Sequence, residues 1–164
     1  KKFFAIFSGG KEEVSIRFIS QLNDDGFEKQ LNASLDRDRM LQYTTVGIHK
    51  DDLGFEIGEY PLKKFGSQGQ QKSFLVALKL AQFDYTRSIK GFKPILLFDD
   101  IFDKLDNDRV KSLMKLVSEN SFGQVFITDA HPERIELVFK NIKTDIRIFE
   151  VVAGRVTESL SRKK

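Results

Sequence analysis

The chain of 164 residues has no cysteine and only three prolines. Without cysteine, a disulfide scaffold, a thiolate-bound zinc site and a thiol nucleophile are all excluded. No apolar run approaches the roughly 18–20 residues that a membrane-spanning helix needs. The first residues, KKFFAIF, are too few for a signal-peptide core, and no cleavage-type sequence follows them. We therefore expect a cytoplasmic protein with no membrane partner and, because no methionine starts the chain, a piece of a longer polypeptide.

The chain also has only a small excess of positive charge. The chain has 27 basic and 24 acidic residues, a net charge of +3. Residues 154–164 carry this excess, so the remainder is neutral in total and shows no strong basic footprint for nucleic acid. We expect residues 154–164 to form a solvated, frayed end. Hydrophobic residues make up 40% of the chain, which excludes a disordered protein and suits one domain with a sizeable core.

Hydrophobic periodicity predicts both strands and helices in the first half of the chain. Alternating apolar residues predict a half-buried strand over 14–18. After a turn at 23–26, helical spacing predicts an amphipathic helix over 27–43. A second alternation, interrupted by glycine, predicts a hairpin over 53–65, and a broad apolar stripe predicts a buried helix over 70–88.

The second half predicts one βαβ unit. The sequence ILLF at 95–98 is apolar on both faces, as central parallel strands are, and a helix around 110–117 precedes a second such strand at 124–128. This order and spacing demand a parallel pair. A short helix over 133–140 and a closing hairpin over 146–156 at a sheet edge complete an α/β fold with a parallel βαβ core and flanking β-hairpins.

Two carboxylates follow the first of these buried strands, in the segment ILLFDDIFDKLD. Asp99 and Asp100 fall at the carboxyl end of the strand, where open α/β sheets bind their ligands. Adjacent carboxylates repel each other unless a cation or a proton intervenes. The Mg²⁺ of a nucleotide suits one of them, and the other can orient or deprotonate an attacking water. The alternative is a pair of aspartates that cap a helix at a strand-to-helix junction.

A second segment, FGSQGQQK at residues 65–72, opens the broad apolar helix. Ser67 can cap this helix, and Gly69 leaves its backbone amide open to a ligand. Amides at a helix N-terminus, with the positive end of the helix dipole, bind anions. The alternative is an ordinary serine cap followed by a flexible glycine.

Taken together, the order and spacing of these segments resemble the second half of an ABC-type ATPase head. The resemblance implies the C-terminal lobe of a P-loop fold, with ATP and Mg²⁺ as cofactors. It identifies SQGQQ as the signature motif, which touches the nucleotide held by the opposite subunit, and ILLFD as Walker B. The resemblance implies that the signature motif contains Ser67, Gln68, Gly69 and Gln70. It also implies that Asp99 binds magnesium and that Asp100 stands where the family has a catalytic glutamate. Asp106 belongs to the implied D-loop.

Within these ATPases the chain is similar to the RecF family. GSQGQQKSFLVALKLAQF, DDIFDKLD and the VGIHKDDL segment carry this likeness, with Ile48 and Lys50 where the family has proline and arginine. The resemblance implies a slow ATPase that dimerises through ATP and binds DNA at single-strand gaps and single-strand/double-strand junctions. It also implies recombination mediator proteins as partners and recombinase loading in recombinational repair. The alternatives are an ATP-binding subunit of another ABC-type system, such as a membrane transporter, and a non-catalytic interaction module.

The phosphate-binding loop of such a head is missing from the sequence. No GxxxxGK[ST] occurs, and the nearest sequence, GGKE at residues 9–12, lacks the first glycine and the final hydroxyl residue. We therefore expect residues 1–20 to be a remnant of a preceding arm or linker with the first strand. Residues 21–164 are expected to be the C-terminal part of the head, inactive as an ATPase by itself.

Two loop histidines complete the candidates. ABC-type heads place a switch histidine after the strand that follows Walker B, but here Thr128 and Asp129 come first, and either fits the switch position. His131 is a candidate catalytic residue or a surface histidine before proline. His49, with Lys50, is a candidate DNA contact or a partner in a local salt bridge. Metal binding by these histidines is disfavoured, because the chain has only two and no cysteine assists them.

Overall fold

The computed structural model describes residues 1–23, 26–103, 105–118, 122–140, 142 and 144–162, apart from the Glu136 side chain. These residues form two compact units. The first contains residue 1 and Glu12–Gln71, and the second contains Lys2–Lys11 and Lys72–Lys164. None of the helices described in either unit is long and apolar enough to cross a membrane.

The first unit is built on an antiparallel sheet. Its strands are β1 (Val14–Ile19), β2 (Asp52–Ile57) and β3 (Tyr60–Pro61), and its helices are α2 (Phe27–Leu41) and the single turn α3 (Leu62–Phe65). The predicted strand, helix and hairpin are confirmed, but β3 has only two residues because the chain turns into α3. The predicted turn at 23–26 includes two residues that lie outside the described ones.

The apolar residues of the first unit are less buried than their spacing predicts. In β1, Val14 is buried, whereas Ile16 and Phe18 are about half exposed. In α2, Phe27 and Leu35 are exposed, and the buried residue is Ser34. The periodicity therefore predicts the elements correctly but is wrong about how much apolar surface they bury within this chain.

The second unit contains the βαβ core. Its helices are α1 (Lys2–Ser8), most of α4 (Gln68–Lys90), α5 (Asn107–Ser118) and α6 (Pro132–Phe139), and its strands are β4 (Leu96–Phe98), β5 (Val125–Ile127), β6 (Ile146–Val152) and β7 (Arg155–Arg162). Strands β4 and β5 pair in parallel, with Phe98 opposite Ile127, as predicted. Strands β6 and β7 form an antiparallel sheet of two strands, rather than extending the edge of another sheet.

The core of the second unit lies between its helices. Phe4, Leu80 and Leu113 are essentially fully buried, and the ring of Phe4 lies 6.2 Å from that of Phe74. Full burial of a large apolar side chain stabilises a fold by about 1.5–3 kcal/mol. The Phe4–Phe74 contact packs α1 against α4, and α1 also contacts α5.

One face of the parallel strand pair is uncovered in the described chain. Leu96 and Phe98 are buried, but Ile95 is 61% exposed and Leu97 is 70% exposed. Phe126, which lies opposite Leu97 in the register, is half exposed as well. The prediction that β4 is buried on both faces is therefore wrong for this chain, because no described element packs on its second face.

The basic C-terminal segment is an ordered strand as far as Arg162. Ala153 and Gly154 both adopt positive φ, 49° and 77°, the conformation that a tight hairpin turn requires. Arg162 donates from Nη2 to the carbonyl oxygens of Phe139, at 2.8 Å, and Ile142, at 2.6 Å, at the end of α6. The prediction of a frayed end is therefore wrong for residues 155–162, because β7 pairs with β6 and its last arginine is anchored. The last two lysines lie outside the described residues.

Candidate functional site

The carboxyl ends of β4 and β5 bring Asp99, Asp100 and Thr128 together. The Thr128 amide donates to the Phe98 carbonyl at 2.9 Å and so continues the strand pairing by one residue. The Thr128 hydroxyl donates to Asp99 Oδ1 at 2.5 Å and accepts the Asp100 amide at 3.1 Å. A single hydroxyl therefore joins both predicted carboxylate residues to the end of the neighbouring strand.

Asp100 has an unusual backbone conformation. Its φ is +46°, in the left-handed region, which costs an L-residue roughly 1–2 kcal/mol. Its amide is held by Thr128, and its carbonyl oxygen accepts a hydrogen bond from Lys72 Nζ at 3.2 Å. Both backbone polar groups of Asp100 are thus held by side chains from other elements, which fixes the direction of its Cα–Cβ bond.

The donor set at these strand ends suits magnesium bound to a nucleotide. Asp99 and Asp100 are both exposed, so their carboxylates can be reached by a ligand. Among the residues that the structure describes, no cluster of three or more acidic or histidine side chains could hold a metal ion without outside ligands. Mg²⁺ commonly takes one or two carboxylates and completes its shell with water and phosphate oxygens, so the residues present fit a nucleotide-bound ion.

The start of α4 is a reciprocal capping box. Ser67 Oγ accepts the Gln70 amide at 3.2 Å, and Gln70 Oε1 accepts the Ser67 amide at 2.7 Å. The first α-helical bond runs from the Gln71 amide to the Ser67 carbonyl at 2.9 Å. The amides of Gln68 and Gly69 belong to the first turn of the helix, before this bond, and therefore have no acceptor within the helix. The structure therefore contains the serine cap, and the geometry is compatible with the predicted anion site.

Asp106 also caps a helix. Its Oδ1 accepts the Arg109 amide at 2.9 Å, and its carbonyl oxygen accepts the Val110 amide at 3.0 Å, at the start of α5. Its Oδ2 lies 3.4 Å from Arg109 Nε. The carboxylate is thus occupied by its own helix, and its D-loop role stays a prediction. Lys104, in the same predicted motif, lies outside the described residues.

Asp129, the other residue predicted to fit the switch position, has a buried carboxylate. Asp129 is fully buried at its carboxylate, which accepts the His131 amide at 2.6 Å and Arg134 Nη1 at 3.1 Å. His131 Nδ1 lies 3.3 Å from the same carboxylate, while its side chain is mostly exposed. The described contacts therefore join His131 to Asp129 and Arg134, whereas Thr128 is the residue that reaches Asp99.

The other histidine lies in the first unit. His49 Nε2 donates to the Thr44 carbonyl at 3.0 Å, which places a proton on that nitrogen. Lys50 Nζ lies 5.4 Å from the centre of the Tyr43 ring, and both His49 and Lys50 are exposed. The local salt bridge considered for His49 is not found among the described contacts. A contact with DNA stays a prediction for both residues.

The loop that carries His49 is anchored by Asp38, a residue that sequence reasoning missed. Asp38 Oδ1 accepts both the hydroxyl of Thr45, at 2.6 Å, and its amide, at 3.0 Å, and Oδ2 accepts the Ser34 hydroxyl at 3.0 Å. The hydrogen bond from the Thr45 side chain is the main cause that holds the pKa of Asp38 below its usual value. Nothing in the periodicity of α2 singles out this aspartate, because it reads as one of several charged residues on a helix.

Comparison with known proteins assigns the family. No family model matches the chain. It is 51% identical over 144 residues to the DNA replication and repair protein RecF of Flavobacterium johnsoniae, a match that covers 88% of this chain and 40% of that protein. It is 42% identical over 158 residues to RecF of Bacteroides thetaiotaomicron, covering 96% of this chain and 43% of that protein. The chain belongs to the RecF family. It spans about two fifths of the length of these RecF relatives.

Solved structures give the same assignment for the fold. A structure of the recombination mediator protein RecF-ATPrS of the RecFOR pathway matches with a TM-score of 0.70 at 26% identity, over 97% of this chain and 42% of that one. The Smc head domain of Pyrococcus furiosus matches with a TM-score of 0.55 at 20% identity, over 99% of this chain and 33% of that one, which concerns the fold alone. The predicted C-terminal lobe of an ABC-type head, with a parallel βαβ core, is confirmed for this RecF-family chain.

Proposed function

We propose that this chain is the C-terminal lobe of a RecF-type ATPase head in a DNA repair protein. The complete protein binds ATP with Mg²⁺ and dimerises through the nucleotide. It also binds DNA at single-strand gaps and single-strand/double-strand junctions in the cytoplasm. With recombination mediator proteins as partners, it supports recombinase loading. The observation that carries the proposal is the placement of Asp99, Asp100 and Thr128 at the carboxyl ends of two parallel strands.

The acidic pair divides the chemistry of hydrolysis. Asp99 binds the magnesium side of the nucleotide, and the Thr128 hydroxyl orients the oxygen Oδ1 for this role. Asp100 orients the attacking water or accepts its proton. The hydrogen bonds to its backbone amide and carbonyl keep its carboxylate in one direction for this role. When bound, Mg²⁺ offsets the negative charge of the phosphates and of the carboxylates. Thr128 takes the switch position in this proposal, and His131 is a second candidate that the loop presents to solvent.

The signature segment serves the other subunit. The Ser67 hydroxyl and the amides of Gln68 and Gly69 lie at the open start of α4, where the helix dipole favours a phosphate. Gln70 caps the helix through Oε1 and donates from Nε2 to Glu12 at 2.7 Å. We propose that these groups complete the nucleotide site of the partner in the dimer.

The remaining assignments belong to the same proposal. The D-loop contains Asp106, and His49 with Lys50 form a candidate DNA contact on the exposed face of their loop. Residues 1–20 are proposed as the remnant of the arm or linker with the first strand, and residues 21–164 as the C-terminal part of the head. The likeness to RecF supports this proposal over a transporter subunit, and ATP hydrolysis by the full-length protein distinguishes it from a non-catalytic module.

The full-length protein is expected to hydrolyse ATP with Mg²⁺, whereas the purified chain of 164 residues is expected to show no turnover. The reason is that the chain lacks GxxxxGK[ST], so it has no backbone cradle for the phosphates and no P-loop lysine. The measurement is phosphate release at saturating ATP, beside a sample without protein. Turnover by the 164-residue chain well above that blank would contradict the proposal, as would an inert full-length protein.

A further inference from the structure

One contact of the segment that holds Asp99 and Asp100 comes from the last residue of FGSQGQQK, to which the resemblance gives no role. Lys72, on α4, donates from Nζ to the carbonyl oxygen of Asp100 at 3.2 Å. Lys72 is half-buried, whereas Lys79, on the same helix, is exposed. We propose that Lys72 is a positioning residue that holds the Asp100 carboxylate in its reactive direction. This inference rests on the proposed function, since it assumes that Asp100 acts on the attacking water.

The backbone of Asp100 needs such a partner. At a φ of +46° the residue lies in the left-handed region, which aspartate enters more often than most L-residues but at a cost that surrounding contacts offset. The Thr128 hydroxyl holds the amide on one side of the Asp100 Cα, and Lys72 holds the carbonyl on the other. Together the two contacts restrain both φ and ψ, and therefore the direction of the side chain.

Thr128 and Lys72, the two residues that bond the Asp100 backbone, are not equivalent. Thr128 also bonds Asp99 and is part of the strand pairing, so its replacement disturbs the magnesium ligand and the sheet end together. Lys72 has the Asp100 carbonyl as its described hydrogen-bond partner, and a bond donated by an ammonium is stronger than one donated by a neutral group. Lys72 is therefore the residue at which the orientation of Asp100 can be changed with the least other disturbance.

Replacing Lys72 with methionine in the full-length protein is expected to lower kcat for ATP hydrolysis by about 10–100-fold, the typical loss when a residue that orients a metal ligand is replaced. The KM for ATP is expected to stay within about twofold, because binding does not need the reactive direction of Asp100. Lys72→Arg keeps a charged donor and is expected to restore most of the rate. Lys79→Met, a lysine of the same helix on the exposed face, serves as the control and is expected to behave as wild type.

A double-mutant cycle separates positioning from general stability. In an Asp100→Asn background, Lys72→Met is expected to lower kcat by less than about twofold, because the group that it positions is already gone. A purely structural role would lower the rate in both backgrounds alike and shift the melting temperature with it. If Lys72→Met fails to fold, Lys72→Gln, which keeps a neutral donor, takes its place in the cycle.

The inference is overturned if Lys72→Met turns over ATP like Lys79→Met, if the two losses in the cycle are additive, or if Lys72→Arg fails to restore the rate. A wild-type protein without ATPase activity overturns the proposed function and this inference with it. A wild-type protein that hydrolyses ATP, with Lys72→Met unaffected, overturns the inference alone.

Discussion

Asp100→Asn in the full-length protein is expected to slow ATP hydrolysis by about 10²–10⁴-fold while ATP still binds. The amide is close in size to the carboxylate but cannot accept the proton of the attacking water. Thr128 and Lys72 bond the backbone amide and carbonyl of Asp100 rather than its side chain, so these two hydrogen bonds remain in the variant. The measurement is kcat at saturating ATP together with a nucleotide-binding titration.

Two further variants show whether the effect is specific to Asp100. Asp99→Asn is expected to weaken the magnesium-dependent part of nucleotide binding, because it removes a charged ligand of the ion. Asp108→Asn, at an almost fully exposed aspartate on α5, is expected to change neither rate nor binding. Hydrolysis by Asp100→Asn at the wild-type rate would show that the roles of the two carboxylates are assigned wrongly.

Ser67→Arg is expected to abolish ATP-dependent dimerisation while the ATP affinity of the monomer stays nearly intact. A bulky cation at the start of α4 occupies the space proposed for the partner's γ-phosphate and opposes the helix dipole. Ser67→Asp is the sharper variant, because aspartate still caps the helix but places a negative charge against the phosphate. Like charges brought together at an interface cost several kcal/mol, so Ser67→Asp is expected to stay monomeric at micromolar concentration. Ser67→Arg is expected to stay monomeric because its bulk fills the space of the phosphate.

Sedimentation with ATP and Mg²⁺, beside the binding titration, measures both effects in one series. Ser67→Thr, which keeps the hydroxyl and the cap, is the control and is expected to dimerise. A Ser67→Asp protein that binds ATP and dimerises like wild type would show that FGSQGQQK is a helix cap and nothing more. That outcome would remove the support for a nucleotide shared between two subunits.

Local patterns were enough to predict the elements around the site. The apolar run before Asp99, the helical spacing of α5 and the second apolar run at β5 each depend on neighbours in sequence, and the parallel pairing follows from their order. The S-x-x-Q spacing at Ser67 is a capping box that can be read from the chain, and the structure contains it.

Two of the contacts that were missed join residues far apart in sequence. Lys72 reaches Asp100 across the space between a helix and a strand end, and Arg162 reaches the end of α6 from the last strand. Such contacts depend on how elements pack and on side-chain rotamers, which periodicity does not encode. The exposure of Leu97 was missed for a related reason, since an apolar run shows that both faces can be covered but not that this chain covers them.

Mixing two inactive variants tests the central claim most directly, that one subunit supplies the acidic pair and the other supplies the signature. Full-length Asp100→Asn and Ser67→Asp are each expected to be nearly inactive alone. In a mixed dimer, one composite site carries both defects, and the other joins an intact Asp100 to an intact Ser67. The account predicts that ATPase activity reappears when Asp100→Asn is mixed with an excess of Ser67→Asp, which does not pair with itself. A mixed dimer has one intact composite site, so the activity reaches at most about half of the wild-type rate per mixed dimer. Mixed dimers that form and stay inactive would contradict it, because the two motifs would then serve the same subunit's nucleotide.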